Sequence, residues 1–294
     1  MTSHRVFLAD SQQMPELADE SVHLVVTSPP YWCIKDYDHP EQIGRAQSYD
    51  DYLTSLTSVL RECHRVLHKG CRIAVNIGDQ YLRASEHGRY RVQPIPADIS
   101  VIGRDLGFDF MGNIVWRKVS TTKTTGGGQW MGSIYYPRDG HITYEHESIV
   151  LLRKRGDWPR ASSKEAKEKS RLTKEQRSKW FRGVWDDIAP ERQNEHVAMF
   201  PVELPRRLIR MYTFWGDTVL DPFLGSGTTC LAAALEGRDS VGYEINPEFE
   251  SVIRCKLGLD ENRLFNSLDI AVKFARRQPG NEAMMHSQAE LSRP

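Results

Sequence analysis

The stretch from Thr218 to Glu244 constrains the fold of this chain more than any other. Thr218-Val219-Leu220-Asp221 is a short apolar run ending in an acid, and Pro222-Phe223-Leu224-Gly225-Ser226-Gly227-Thr228-Thr229 follows it. Proline cannot donate to a sheet ladder and glycine accepts positive φ, so the strand must stop and the chain must turn tightly. Cys230 to Leu235 then continues as an alanine-rich helix, and a second strand, Ser240 to Tyr243, ends in Glu244, 23 residues beyond Asp221. A strand, a glycine turn, a helix and an acid-tipped strand form the α/β unit that receives an adenosine-type ligand. The glycines allow close approach of the ligand to the backbone, and the acid accepts from ribose hydroxyls.

The ligand can be narrowed further. No third glycine stands where the dinucleotide fingerprint needs one, and no Gly-Lys-Ser/Thr follows to cradle phosphates. A cofactor with a ribose but no pyrophosphate fits, and S-adenosylmethionine is the leading candidate. An amine acceptor for such a methyl donor is offered almost two hundred residues earlier. Val22 to Val26, interrupted only by His23, reads as a buried strand, and Thr27-Ser28-Pro29-Pro30-Tyr31-Trp32 ends it. Two prolines in succession make a rigid corner that leaves Ser28, two carbonyls of fixed direction and two aromatic rings at a strand end. Taken alone, such a corner is an ordinary proline turn; the second motif gives it chemical meaning.

The remainder of the chain reads as further α/β structure. His4 to Ala9 is a strand ending at Asp10, and Asp50 begins a helix with Leu53, Leu56, Leu60, Cys63 and Leu67 at near-helical spacing, ended by Lys69-Gly70. Strands are expected over 71–77, 108–119 and 144–152, and helices over 95–106, 202–215 and 247–257. Residues 120–140, with Gly126 to Gly128, several threonines and Trp130, read as a long functional loop. Residues 261–294 read as an amphipathic C-terminal helix around Leu264 to Phe274 and a flexible tail.

Five scattered cysteines without a Cys-x-x-Cys pair argue against a disulfide framework or zinc ribbon and for a reducing compartment. His141, His146 and His196 lack metal-ligand spacing, so no metal is expected. With no signal-type apolar core and no run of membrane-spanning length, the expectation is a cytoplasmic protein.

Asp221 to Thr229, taken with Ser28-Pro29-Pro30-Tyr31, resembles the amino-group DNA methyltransferases that modify cytosine N4 or adenine N6. The catalytic motif precedes the cofactor motif, which resembles the β-type order of that family. The resemblance implies a Rossmann-like S-adenosylmethionine-dependent methyltransferase fold, α/β, circularly permuted in motif order, with an inserted DNA target-recognition region. The divisions expected are 1–119 for the catalytic half, 120–195 for recognition loops and a basic insert around a core strand near 144–152, and 196–260 for the cofactor half. Asp221, Pro222, Phe223, Gly225, Ser226, Gly227 and Thr228 match the cofactor motif, and Glu244 the ribose acid. Asp10 matches the carboxylate that meets the adenine amino group, although Ala9 stands where the family often has glycine. His196 with Phe200-Pro201 resembles the segment closing over the methionine end. Ser28, Pro29, Pro30 and Tyr31 match the catalytic motif, and serine at position 28 resembles the cytosine-N4 subgroup. An adenine-N6 enzyme and a catalytically silent nucleic-acid-binding subunit that keeps the fold are the alternatives.

Chemistry supports the corner independently. An exocyclic amine is a poor nucleophile because its lone pair is delocalised, and acceptors aimed at its N–H bonds favour attack; Ser28 Oγ and the Pro29 carbonyl are on offer. Tyr31 would stack on a base flipped from the duplex. Methylation of a ring carbon would need a cysteine nucleophile, typically after proline, and the chain has no Pro-Cys pair.

Lys+Arg and Asp+Glu are both 39, so nucleic-acid affinity must come from local clustering. Residues 153–182 hold twelve Lys/Arg against four Asp/Glu, with Trp158, Trp180, Phe181 and Trp185 nearby. A solvated helix is the plain reading of such a run, but interleaved aromatics favour a DNA surface. The expected DNA contacts are Lys123, Trp130, Arg153, Lys154, Arg155, Lys164, Lys167 and Arg171. Double-stranded DNA is the expected partner; a cognate restriction endonuclease and a homodimer are partners the resemblance allows.

Overall fold

β-branched runs separated by amphipathic segments build one mixed sheet with helices on both faces. In the computed structural model the described residues are 1–33, 36, 39–118, 138, 142, 144–190, 200–259 and 270–277. Residues 1–118 contain β1 (Thr2–Leu8), β2 (Val22–Thr27), α1 (Tyr49–Val66), β3 (Leu67–Ile77), β4 (Gln80–Leu82), α2 (Ala84–His87), β5 (Arg91–Gln93), α3 (Ile95–Asp105) and β6 (Phe108–Arg117). There follow β7 (His146–Lys154), α4 (Lys164–Lys169), α5 (Lys174–Trp180) and β8 (Val184–Trp185). Residues 200–259 hold α6 (Glu203–Tyr212), β9 (Thr218–Asp221), α7 (Thr228–Leu235), β10 (Asp239–Glu244) and α8 (Phe249–Lys256), and β11 (Ile270–Arg276) comes last in the order.

The nine-stranded sheet runs β11-β1-β10-β9-β2-β3-β7-β6-β8, and β4 and β5 form a separate antiparallel pair. Among the described residues only β7 opposes its neighbours; every other pairing in the large sheet is parallel. Going from β9, the chain moves one way through β10, while from β2 it moves the other way to β3. That reversal at the β9–β2 pair opens a crevice at the carboxyl ends of the strands, where open α/β sheets bind ligands.

Two of three core clusters cover the middle of the sheet, one on each face, and a third packs Val6 and Leu8 against Cys230, Ile253 and Leu257. On one face α1 and α3 bury Tyr52, Leu56, Val59, Cys63, Ile95 and Ile99 against Val25, Ile73, Val75 and Leu152. On the other, α6 and α7 bury Leu204, Leu208, Ile209, Ala232 and Ala233 against Leu24, Val26, Ile149 and Val219. Each large aliphatic side chain so buried contributes about 1.5–3 kcal/mol. α1 starts where Ser48 accepts from the Asp51 amide at 3.1 Å, and it carries Asp50 and Asp51 in its first turn and His64 and Arg65 in its last. Both choices suit the helix dipole.

Several boundaries differ from those expected. α1 ends at Val66, and the chain passes directly into β3. Gly70 is therefore inside a strand, at φ +73, where an added Cβ would lie 2.4 Å from the Trp158 amide nitrogen. The glycine marks a close backbone approach rather than a helix stop. The largest correction concerns 261–294. Residues 270–276 form a strand, not a helix, pairing in parallel with β1 from Thr2 to Leu8. The other residues of 260–294, apart from Arg277, lie outside the described residues.

Candidate active site

Four strand ends converge on the crevice. β1 delivers Ala9, Asp10 and Ser11, β2 delivers Ser28, Pro30 and Tyr31, β9 leads into Pro222, Phe223 and Gly225, and β10 ends in Tyr243 and Glu244. Asn76, Trp116, Lys118, Glu147, Pro190 and Phe200 complete the wall on the catalytic side. The empty space, counted to the open mouth, is about 1120 Å³.

Glu244 faces this space from the end of β10. Its Oε2 accepts from the Gly225 amide at 2.8 Å and its Oε1 from the Asn246 amide at 2.9 Å. Burial nevertheless dominates and raises its pKa to about 6. A buried carboxylate held only by backbone amides, still able to accept on both oxygens, suits a pair of ribose hydroxyls. Gly225, at φ +53, has open space where a Cβ would stand, so the backbone can be approached closely there. Asp10 lies across the cleft, with Oδ1 and Oδ2 accepting from the Gln12 amide and side chain at 2.9 and 2.8 Å. These residues fit the adenosine of S-adenosylmethionine.

Asp221 has a different place from the one its motif implies. It is 1% exposed and lies beneath the cleft, where burial raises its pKa to about 6. Thr229 Oγ1 donates to its Oδ2 at 2.6 Å; Thr27 Oγ1 at 2.7 Å and the Phe223 amide at 3.0 Å donate to its Oδ1. Asp221 is thus a positioning residue that ties the cofactor turn to the residue immediately before Ser28. Reading the motif alone misses Thr27, although a hydroxyl at the buried end of an apolar run is itself a signal. Ser226, Gly227 and Thr228 also sit behind the wall. Gly227 caps α7 at φ +87, and the hydroxyls of Ser226 and Thr228 each accept from Lys256 Nζ at 2.8 Å.

The catalytic corner is held from outside the motif. Tyr52 on α1 donates to the Pro30 carbonyl at 2.9 Å, which engages that acceptor; Ser28 lines the cleft, and Pro29 is buried between Ser28 and Pro30 and does not itself line it. The Gly78 amide donates to the Tyr31 hydroxyl at 3.0 Å, fixing the ring's edge. Trp32 packs beneath the turn, 7% exposed, with Nε1 donating to the Gln47 carbonyl at 2.9 Å. Asp79 follows Gly78 and is held above the usual carboxyl range by burial, but it does not line the cleft.

The basic segment is placed far from this site. Lys154 is buried, donating to the Leu67 carbonyl at 2.7 Å, and Arg153 and Arg155 both pair with Asp109 at 3.0 and 3.1 Å. Ser170, after α4, accepts from the Trp215 amide at 2.6 Å, and Arg210 donates to the Lys169 and Arg171 carbonyls. Trp215 precedes β9, and Trp158 covers Gly70 early in β3. Arg160, Lys164, Lys167 and Arg171 therefore lie at the amino ends of the strands, opposite the cleft. By strand rise, Gly70 and Ile77 alone are roughly 20 Å apart. Of the expected DNA contacts, Arg153, Lys154 and Arg155 are paired within the fold and Lys164, Lys167 and Arg171 stand at the far end of the sheet: clustering in sequence did not become clustering at the cleft. Lys123, Trp130 and His196 lie outside the described residues, while Phe200 lines the cleft.

Among the described residues no helix is long and apolar enough to cross a membrane.

A mostly parallel sheet with its crevice at a topological switch, an acid ending one central strand and a Ser-Pro-Pro-Tyr corner ending another, is the arrangement of the Rossmann-like methyltransferase class. The family described as DNA methylase (N6_N4_Mtase) matches residues 22–254. The chain belongs to this family of N6/N4 DNA methylases. It is 33% identical to the type II methyltransferase M.MthZI of Methanothermobacter thermautotrophicus, over 95% of this chain and 84% of that one. M.MjaI of Methanocaldococcus jannaschii is likewise 33% identical, over 94% and 97%. TTHA0409 from Thermus thermophilus, solved in complex with S-adenosyl-L-methionine, is similar at TM-score 0.72 and 36% identity, covering 92% of this chain and 99% of that one. The cytosine-N4-specific PvuII DNA methyltransferase, at 22% identity and TM-score 0.63 over 90% and 89%, shares the fold.

Proposed function

We propose that the protein is a site-specific DNA methyltransferase that uses S-adenosylmethionine to methylate the exocyclic N4 of a cytosine flipped out of double-stranded DNA. The observation that carries this reading is the Thr27–Asp221 hydrogen bond, which locks the amine-gripping corner against the cofactor turn. Glu244, Gly225, Phe223 and Asp10 would hold the cofactor, which supplies a sulfonium methyl open to attack by a neutral amine. Ser28 Oγ and the Pro29 carbonyl are the acceptors that the corner offers to one N–H bond of the amine. They stabilise the positive charge that gathers on nitrogen as the N–C bond forms and the methyl–sulfur bond breaks, its electron pair staying on sulfur as a neutral thioether, until a proton leaves to solvent at the cleft mouth. Tyr31, with its hydroxyl anchored by Gly78, supplies a stacking face. No covalent bond to the protein is required. Serine at position 28 supports cytosine over adenine. A modification role, solitary or beside a cognate restriction endonuclease, and a homodimeric state accompany the proposal.

The test is mass spectrometry of nucleosides from the DNA of a methylation-free bacterial host expressing the protein, with sequencing of the modified sites. N4-methyldeoxycytidine is expected. N6-methyldeoxyadenosine alone would move the assignment to adenine, and no methylated base at all would overturn it in favour of a silent binding subunit. Ser28→Ala should reduce turnover about 100-fold, a magnitude typical of losing one such polar contact, with the cofactor Kd within about twofold.

A further inference from the structure

Asn76 stands one residue before the end of β3. Thr27 is paired with Val75 in the β2–β3 register, so one step further sets Asn76 level with Ser28. Neighbouring strands are about 4.8 Å apart, which places the two side chains within reach of one small group. Both line the cleft, and Asn76 is only 2% exposed.

Its amide is oriented by a second residue. Asn76 Nδ2 donates to Glu147 Oε2 at 2.7 Å, and Glu147 Oε1 is in turn paired with Lys118 Nζ. A carboxylate held by an ammonium can only accept, so the Asn76 NH₂ must face it and the carbonyl oxygen must face away. Among the described residues nothing donates to that Oδ1, although it is buried. Buried polar atoms in folded proteins are almost always satisfied, and an exception in a ligand cleft marks where a partner's donor belongs.

An exocyclic amine has two N–H bonds, and the corner at Ser28 and Pro29 addresses one side of it. We propose that Asn76 Oδ1 is the acceptor for the second N–H bond of the target amine, with Glu147 as the positioning residue that fixes its direction. The assignment rests on the methyltransferase reading above and extends it to specificity. A fixed acceptor at this place admits an amino group and repels the carbonyl oxygen that thymine or uracil carries at the same ring position.

The test uses the full-length protein and a duplex containing the site found by sequencing host DNA. Asn76→Ala is expected to lower kcat about 100-fold while the S-adenosylmethionine Kd stays within about twofold. Glu147→Gln, which frees the amide to turn over, should lower kcat at least about 10-fold. Combining Asn76→Asp with Glu147→Gln rebuilds the pair with donor and acceptor exchanged, leaving one carboxylate oxygen at position 76 for the amine. This double variant should recover most of the loss. Wild-type kcat in Asn76→Ala, an equal loss of cofactor affinity, or no recovery in a folded double variant would each overturn the assignment. These results differ from failure of the parent reading, in which the wild-type protein itself methylates no DNA base.

Discussion

Glu244 and Asp221 both carry carboxyls raised to about 6, yet they answer to different partners. Asp221 is surrounded by Thr27, Thr229 and the Phe223 amide, all internal, whereas Glu244 keeps accepting capacity toward the cleft. Because the folded value for Glu244 exceeds the ordinary 4.5, the folded protein without ligand holds this proton more tightly than the unfolded chain. The associated stability is full below about pH 4.5 and is lost as pH rises through about 6, at a cost of order 2 kcal/mol. Donor hydroxyls from a ribose favour the ionised form, so cofactor affinity should rise with pH over the same window. Calorimetry should show the S-adenosylmethionine Kd weakening about fourfold from about pH 7.5 to about 5.5. Glu244→Gln should bind more weakly and with a flatter profile; a profile as steep as wild type would assign the titration to Asp221 instead.

At the scale of elements, β11 and the residue after it brace the cleft from the sheet edge. Arg277 donates to Glu16 at 2.9–3.1 Å and to the Gln13 carbonyl at 2.9 Å, while Tyr243 in the cleft wall donates to the same Glu16 carboxylate at 2.9 Å. Arg277→Ala should therefore loosen the loop after β1 and weaken the cofactor Kd several-fold, with the Ser28 corner intact; an unchanged Kd would show that the loop holds by itself. This strand is the part of the fold least readable in sequence. Ile270 to Arg276 is short and half-exposed, with Lys273 in its middle, so its periodicity is weak and only pairing with β1 makes it a strand. β2, β9 and β10, buried on both faces, are legible because parallel central strands are continuous apolar runs. The same contrast holds in the site. Ser28, Tyr31, Gly225 and Glu244 announce themselves by motif and do meet in the cleft. Asn76, Glu147 and Lys118 come from three separate strands or their ends and carry no local pattern; only sheet register brings them together.

For the whole molecule, the balance of charge matters less than its placement. The exposed cations Arg160, Lys164, Lys167 and Arg171 lie at the opposite end of the sheet from the cleft mouth. Meanwhile Lys118, Pro190 and Phe200, which bracket 119–137 and 191–199, line the cleft. Replacing Lys164, Lys167 and Arg171 together by alanine should leave the KM for a short duplex within about twofold and barely change its salt dependence. Three phosphate contacts, if lost, would reduce the slope of log K against log salt by about 3. A change of that size would return the DNA to this face.

The position of β1 has a consequence in time. Its seven residues are made long before those of β10 and β11, which begin at 239 and 270, yet it lies between them. At about 5–20 residues per second, the first strand waits roughly 10 to 50 s for a neighbour while the ribosome supplies the rest. Until then the loop bearing Asp10 has no wall to face and Glu244 does not exist. A nascent chain cannot assemble a methyl-donor site around its own unfinished sheet, so activity begins only once synthesis has passed the cofactor half.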